Sequence, residues 1–249
     1  MDTLLQDLRY GARRLLQNPG FTLVTVLTLA LGIGANTAVF SIVNSVLLRS
    51  VPIKDADRIV VLWENQLEQG WKREGPLGIN YLDWREQNRS FEELTVIEHG
   101  SATLTGLGEP EQVPGMRAAP NFFAFIGAQP VKGRGFSAEE GKAEGHNVLV
   151  ISHGFWQRHF GSDPHVVGRT LTVDGLPYTI VGILPTTFWS PIPCEVIAPL
   201  SDEKLNTVGS NLGVLGRLKP GVTVEQARLE MNALAQRLEP LRPNRKGGA

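Results

Sequence analysis

From residue 21 to residue 48 the chain carries no Asp, Glu, Lys, Arg or His. A helix of those 28 residues would be roughly 42 Å long at about 1.5 Å per residue, against about 30 Å for the hydrocarbon core of a bilayer. Helices in globular cores rarely run so far without a charge, so the segment reads as a membrane span. A cleaved signal peptide is the competing reading, and it needs a short basic start, an apolar stretch of about 7–15 residues and a small-residue cleavage site. Here the start occupies the first 20 residues and the apolar stretch continues past Ala35 and Ala38, so an uncleaved anchor fits better. The span needs roughly 20 residues to cross, which leaves about eight to continue as a stalk.

The flanks orient it. Arg9, Arg13 and Arg14 precede the span and Arg49 and Lys54 follow it, an excess that favours a cytoplasmic N-terminus. Residues 2–17 place Leu4, Leu5, Leu8, Ala12, Leu15 and Leu16 at helical spacing between charged residues. That pattern predicts an amphipathic helix at the cytoplasmic interface, broken by Asn18-Pro19-Gly20. On a wheel at about 100° per residue, Ala30, Gly34, Thr37, Ala38, Ser41, Asn44 and Ser45 fall within an arc of about 120°. Such a stripe of small and polar residues lets another helix approach closely, which a simple lipid anchor does not need. Gly32 and Asn36 lie on the bulky side, and Asn36 in lipid calls for a partner or a second contact face. The chain offers no second span, so the expected partner helix belongs to another chain or to a part of the protein beyond this sequence.

Whole-chain averages hide this organisation: 249 residues, net charge -1 and 42% hydrophobic describe an ordinary soluble protein. The part after the span can bury one good core or two small ones. No basic stripe points to nucleic acid. The one cysteine, Cys194, has no disulfide partner and reads as a half-buried apolar residue.

Beyond residue 50 the pattern changes to short mixed elements, an α+β class. Strands are expected at 58–64, 94–104, 111–118 (interrupted by Pro114), 147–152, 170–173, 178–183, 195–199 and 213–218. Asp174-Gly175 is a hairpin turn signal. Helices are expected at 80–88, with Asn80 as its cap, at 153–160, and at 223–239. The last opens on a Thr223/Gln226 capping box, and Val224, Ala227, Met231, Leu234 and Leu238 form its apolar face. Residues 241–249 read as a linker or tail. Catalytic signatures are missing from the sequence: no G-x-S-x-G, no H-E-x-x-H and no P-loop. The five histidines are scattered, and His153 and His159 fall on opposite faces of a helix. Gly106-Leu107-Gly108 reads as a turn, and Gly133-Arg134-Gly135 is a weak anion-loop candidate. Five tryptophans are spread along the chain as core or interface residues. The expectation is therefore a protein that is not an enzyme, with no cofactor and no metal.

Residues 7–11 (DLRYG), 18–22 (NPGFT) and 27–49 (LTLALGIGANTAVFSIVNSVLLR) resemble the opening of bacterial MacB/FtsX-type ABC transporter permeases, and look closest to the acidobacterial duplicated orphan permeases. Residues 80–94 (NYLDWREQNRSFEEL), 133–140 (GRGFSAEE), 155–175 (FWQRHFGSDPHVVGRTLTVDG), 178–185 (YTIVGILP) and 216–227 (GRLKPGVTVEQA) agree with it. The resemblance implies a division into residues 1–20, a cytoplasmic amphipathic helix, residues 21–48, the membrane helix and stalk, and residues 50–240. The last would form a two-lobed MacB-like periplasmic core domain, with an inserted lobe near 126–200. Similar proteins continue into three more membrane helices, so the chain looks like a truncated permease. They couple cytoplasmic ATP hydrolysis to extracytoplasmic work such as efflux or lipoprotein and envelope handling. The implied setting is the bacterial inner membrane, N-terminus inside and main domain in the periplasm. The implied partners are a separate ABC ATPase, a second permease copy in a dimer or pseudo-dimer, the lipid bilayer and a periplasmic partner protein, with no nucleic acid. The alternative is a membrane-anchored periplasmic binding or interaction module without ATPase coupling, and a periplasmic enzyme is a distant third.

Overall fold

The computed structural model describes residues 17–43, 53–66, 71–143, 146–190, 192–207 and 212–238. The chain divides into two compact units, Met1–Val51 and Pro52–Ala249. In the first, helix α1 spans Pro19–Val43, 25 residues. Proline suits a first helical position because its missing N–H would be unpaired there and its φ is preset. The Asn18 carbonyl accepts from Thr22 N at 3.1 Å and from Thr22 Oγ1 at 3.0 Å. The Asn18-Pro19 pair therefore opens the helix two residues before the expected start at Phe21. Thr28 Oγ1 donates to Val24 O at 2.8 Å, folding a polar group back onto the helix. Among the described residues no helix is long and apolar enough to cross a membrane. The side chains of α1 are described only from Pro19 to Gly34, excepting Phe21 and Thr25, and the large apolar ones among them, such as Leu27, Leu31 and Ile33, are exposed. The expected helix of residues 2–17, apart from Gln17, and the tail of residues 241–249 lie outside the described residues.

In the second unit a 3-10 turn at Ala56–Arg58 leads into β1 (Ile59–Leu62), β2 (Glu64–Gln66), β3 (Trp71–Glu74), α2 (Gly78–Gln87), β4 (Phe91–Thr105), β5 (Glu111–Ala118) and α3 (Phe122–Ile126). There follow β6 (Lys132–Gly133), β7 (Val148–Ile151), α4 (His153–Phe160), β8 (Thr170–Val173), β9 (Leu176–Ile183), β10 (Val196–Pro199), α5 (Asp202–Leu205), β11 (Leu212–Leu218) and α6 (Val224–Leu238). β2 and β3 form a separate hairpin, and the main sheet runs β1-β11-β4-β5-β10-β7-β9-β6. β8 pairs with both β4 and β9, so β4, β5, β10, β7, β9 and β8 close into a ring. Closure leaves these strands fewer free edges. Alternate residues point inward: Leu104, Val113, Leu149, Val173, Ile180 and Val196 share one core with Phe155 and Trp156 of α4.

Outside the ring, the face of β1, β11 and the first half of β4 carries Leu62, Val214, Leu94 and Val96. These pack with Tyr81 and Trp84 of α2 and Ala227 and Leu234 of α6. The opposite face brings Ile97, Met116, Val150 and Ile197 together with Phe122, Phe123 and Phe125 of α3. Burying each such side chain is worth about 1.5–3 kcal/mol, which is what holds three short helices to the sheet.

Local chemistry explains several boundaries. Ser152 Oγ accepts from Phe155 N at 3.1 Å and caps α4. Asp174 (φ 50°) and Gly175 (φ 79°) both take the left-handed conformation that a tight two-residue hairpin turn demands. Pro114 does not interrupt β5, because its carbonyl accepts from Glu195 N at 2.8 Å. Its missing N–H faces that same side, just before β10 begins at Val196, so no ladder bond is lost. Asn80 does not cap α2: the helix begins at Gly78 after Leu77, with no side-chain cap. The Asn80 amide donates instead to Glu64 Oε1 at 2.7 Å. A side chain at position 78 could not fit, since a Cβ there would lie 2.0 Å from Leu205 O.

The capping box of α6 is complete. Gln226 N donates to Thr223 Oγ1 at 3.2 Å and Thr223 N to Gln226 Oε1 at 2.9 Å. Thr223→Ala removes one acceptor and is expected to cost about 1 kcal/mol, read as a lower urea midpoint at unchanged slope. Val224 departs from the expected apolar face: it is 61% exposed, whereas Ala227 and Leu234 are buried in the core.

Candidate functional site

The expected small-residue stripe falls on α1 at Ala30, Gly34, Thr37, Ala38 and Ser41, while Asn44 and Ser45 lie outside the described residues. Ala30 and Gly34 are exposed, and a Cβ built at Gly32 or Gly34 meets nothing within 4 Å. A second helix could therefore approach this surface without displacing anything described.

In the second unit a cleft of about 200 Å³ opens beside the ring core, lined in part by Leu149, Tyr178 and Val196. Along one face of β4 the apolar Leu94 and Val96 give way to Glu98 and Gly100 before apolar character returns at Ala102 and Leu104. Across the ladder, Glu98 stands opposite Arg117 and Gly100 opposite Gly115. That glycine pair leaves bare backbone at one point of the cleft lining. Glu98 and Arg117 approach to 3.9 Å, and Lys204, Asp174 and Tyr178 are among the other lining residues. The Asp174 carboxylate is engaged, accepting from Thr103 N at 2.8 Å. Burial pushes the pKa of His99, also at this cleft, below its ordinary value. Sequence reasoning missed the cleft. Its trace was a glycine inside each of two adjacent strands, a sign of close backbone approach or a missing wall.

The other candidates resolve into structural roles. The Gly133-Arg134-Gly135 loop is not an anion site. Arg134 Nη2 donates to Glu140 Oε1 at 2.7 Å and Nη1 to Glu140 Oε2 at 3.0 Å, so its charge already faces a carboxylate. Gly133 and Gly182 are adjacent backbone contacts, and Cβ atoms there would lie 2.0 Å from Val181 O and 2.2 Å from Arg134 O. The rings of His153 and Trp156 meet edge-on. His159 stacks 4.3 Å from Phe155 with Nε2 3.6 Å from Glu111. Among the described residues no group of His, Cys, Asp or Glu converges as metal ligands would. Cys194 is half-buried, and burial pushes its thiol pKa up. Trp84 and Trp156 are core residues, while Trp63 is 51% exposed.

Glu140 gives a pH test. Burial alone would raise its carboxyl pKa, but the hydrogen bonds from Arg134 and the Ser137 N–H outweigh that and hold it below the ordinary 4.5. A carboxyl held low in the folded state stabilises it above its unfolded value, and that stability is lost as the pH falls through the folded value. Glu140→Gln is therefore expected to lower the urea midpoint at pH 7, with the gap from wild type closing as the pH falls well below 4.5.

The sequence profile of the MacB-like periplasmic core domain matches residues 22–234. Among solved structures, the periplasmic region of MacB from Actinobacillus actinomycetemcomitans superposes with a TM-score of 0.55 at 14% identity, covering 74% of this chain and 83% of that one. A domain assigned to a permease protein of Porphyromonas gingivalis gives a TM-score of 0.53 at 18% identity, covering 75% and 85%. At such identities the likeness is one of fold alone. No curated protein matches the sequence. The profile match takes in most of the chain, and the chain belongs to the family of MacB-like periplasmic core domains.

Proposed function

We propose that this chain serves in the permease of a MacB-like ABC transporter. In this reading α1 crosses the inner membrane with the N-terminus in the cytoplasm. The α+β domain stands in the periplasm and couples ATP hydrolysis by a separate ATPase to efflux or to lipoprotein and envelope handling. The observation that carries it is the extent of the family match, residues 22–234, which takes in the apolar helix and the domain as one unit. The 25 residues of α1 would reach roughly 38 Å at about 1.5 Å each, a length greater than the about 30 Å of hydrocarbon in a bilayer, although no described helix is both long and apolar enough to cross one. The stripe from Ala30 to Ser45 supplies a face for a further permease helix or a second copy. Likeness to the acidobacterial duplicated orphan permeases, the inserted lobe near 126–200 and a periplasmic partner protein belong to the same proposal.

The test is affinity purification of the full-length protein from its native membrane in mild detergent. An ABC ATPase recovered in near-stoichiometric amount supports the reading. Its repeated absence, with the protein itself intact, points to the membrane-anchored binding module, for which the cleft beside Glu98 and Arg117 is the natural ligand site.

A further inference from the structure

The segment of residues 53–58, which leads the chain into the domain, is tied down at more points than its length requires. Arg217, on β11, is the centre of these ties. Its side chain is 5% exposed, and a cation so buried costs desolvation unless its donors are met. The guanidinium meets them on two other segments at once. Nη1 donates to the Lys54 carbonyl and Nη2 to the Phe125 carbonyl. The guanidinium carbon sits 4.9 Å from the centre of the Phe125 ring, and Nη1 lies 3.5 Å from Asp55 Oδ2. Lys54 N also donates to Ile126 O at 3.3 Å. Asp55 takes the left-handed conformation, φ 50°, which costs a non-glycine residue of order 1 kcal/mol or more and persists only where neighbours hold it. Arg58 repeats the pattern at the other end: Nη2 to Asp55 Oδ2 at 2.8 Å, Nη1 to Glu92 Oε2 and to Leu218 O, both at 2.9 Å.

An apolar residue of the same volume would often serve a core as well as a buried ion. What it could not do is bridge three segments with one planar fork of five donors. We propose that Arg217 is the pin of a load-bearing joint. It fixes the lead-in segment of residues 53–58 to β11 and α3, so that a pull on that segment reaches the central sheet before the segment peels away. In its use, this joint rests on the coupling reading above: it is where motion of the preceding helix would be handed to the domain. In its geometry it stands without that reading.

The test is force spectroscopy on the full chain in a lipid nanodisc, in a Cys194→Ala background. Handles attach at Pro52→Cys, just before the segment, and at Val224→Cys, which is exposed. The wild type is expected to give one cooperative rupture. Arg217→Met is expected to add an earlier step in most traces, at lower force and roughly 20 Å long, the length of the six lead-in residues at about 3.5 Å each. Arg217→Lys, which keeps the charge but not the fork, is expected to show the same step at intermediate force, and it replaces the Met variant should that fail to fold. A residue that merely adds stability would lower the single rupture force without creating a step. That result, or a peeling step already present in the wild type, overturns the proposal. An ATPase that never co-purifies would leave these traces unchanged and would strike the coupling reading alone.

Discussion

Phe155→Ala is expected to lower the thermal midpoint of the α+β domain by roughly 6–20 °C. Phe155 is 0% exposed and enters the six-strand ring from the first turn of α4, in the same core as Leu149, Ile151, Ile180 and Val196. Truncating a buried Phe costs about 3–5 kcal/mol, because the lost transfer energy is joined by that of the cavity left behind. In a domain of this size each kcal/mol moves the midpoint by about 2–4 °C. The strands around the site are closed on themselves and cannot collapse inward to fill the space, so the upper part of the range is expected. Trp63→Ala is the matched control: the side chain is larger but 51% exposed, and its loss should move the midpoint by less than 2 °C. Equal effects from the two substitutions would mean that the ring interior is not the core described above.

The second large effect concerns α1. Leu31 lies midway between Pro19 and Val43, the ends of the helix. Placing Arg at the centre of a spanning helix costs about 2.5–3.5 kcal/mol, against a small gain for Leu. Leu31→Arg should therefore shift the insertion equilibrium by roughly 100-fold or more at about 1.4 kcal/mol per tenfold. The expected result is loss of the protein from the carbonate-resistant membrane fraction, with the thermal midpoint of the α+β domain unchanged. Full retention in the membrane fraction would argue that α1 does not span the bilayer.

Much of this fold was legible because its signals are local. Asp174-Gly175 fixes its hairpin through two left-handed residues, and Thr223 and Gln226 satisfy each other's backbone within one turn. The helix at His153–Phe160 and the strands at Val148–Ile151 and Thr170–Val173 announce themselves by periodicity and capping. What escaped is non-local. Closure of the ring depends on the parallel pairs β5 with β10 and β7 with β9 and on the far end of β4 reaching β8. None of those pairings leaves a pattern in its own strand. The cleft was hidden for the same reason, since the Gly100–Gly115 pair exists only across a ladder. Arg217 looked like an ordinary strand residue until its carbonyl acceptors came from residues 54 and 125. Asn80 misled because a good capping residue was drawn away by Glu64. Of the stripe, the positions from Ala30 to Ser41 fall within the helix Pro19–Val43.

The proposed coupling of ATP hydrolysis to the α+β domain is tested most directly by a distance measured across that domain during turnover. Spin labels at Leu176→Cys at the start of β9 and Leu229→Cys on α6, both at exposed positions, would be placed in the full-length protein with its ATPase in nanodiscs, again with Cys194→Ala. Trapping the ATPase with a hydrolysis-resistant nucleotide is expected to move the distance distribution beyond its nucleotide-free width, and Arg217→Met to abolish the move while ATP hydrolysis continues. An unchanged distribution in the wild type, alongside normal hydrolysis, would contradict the coupling.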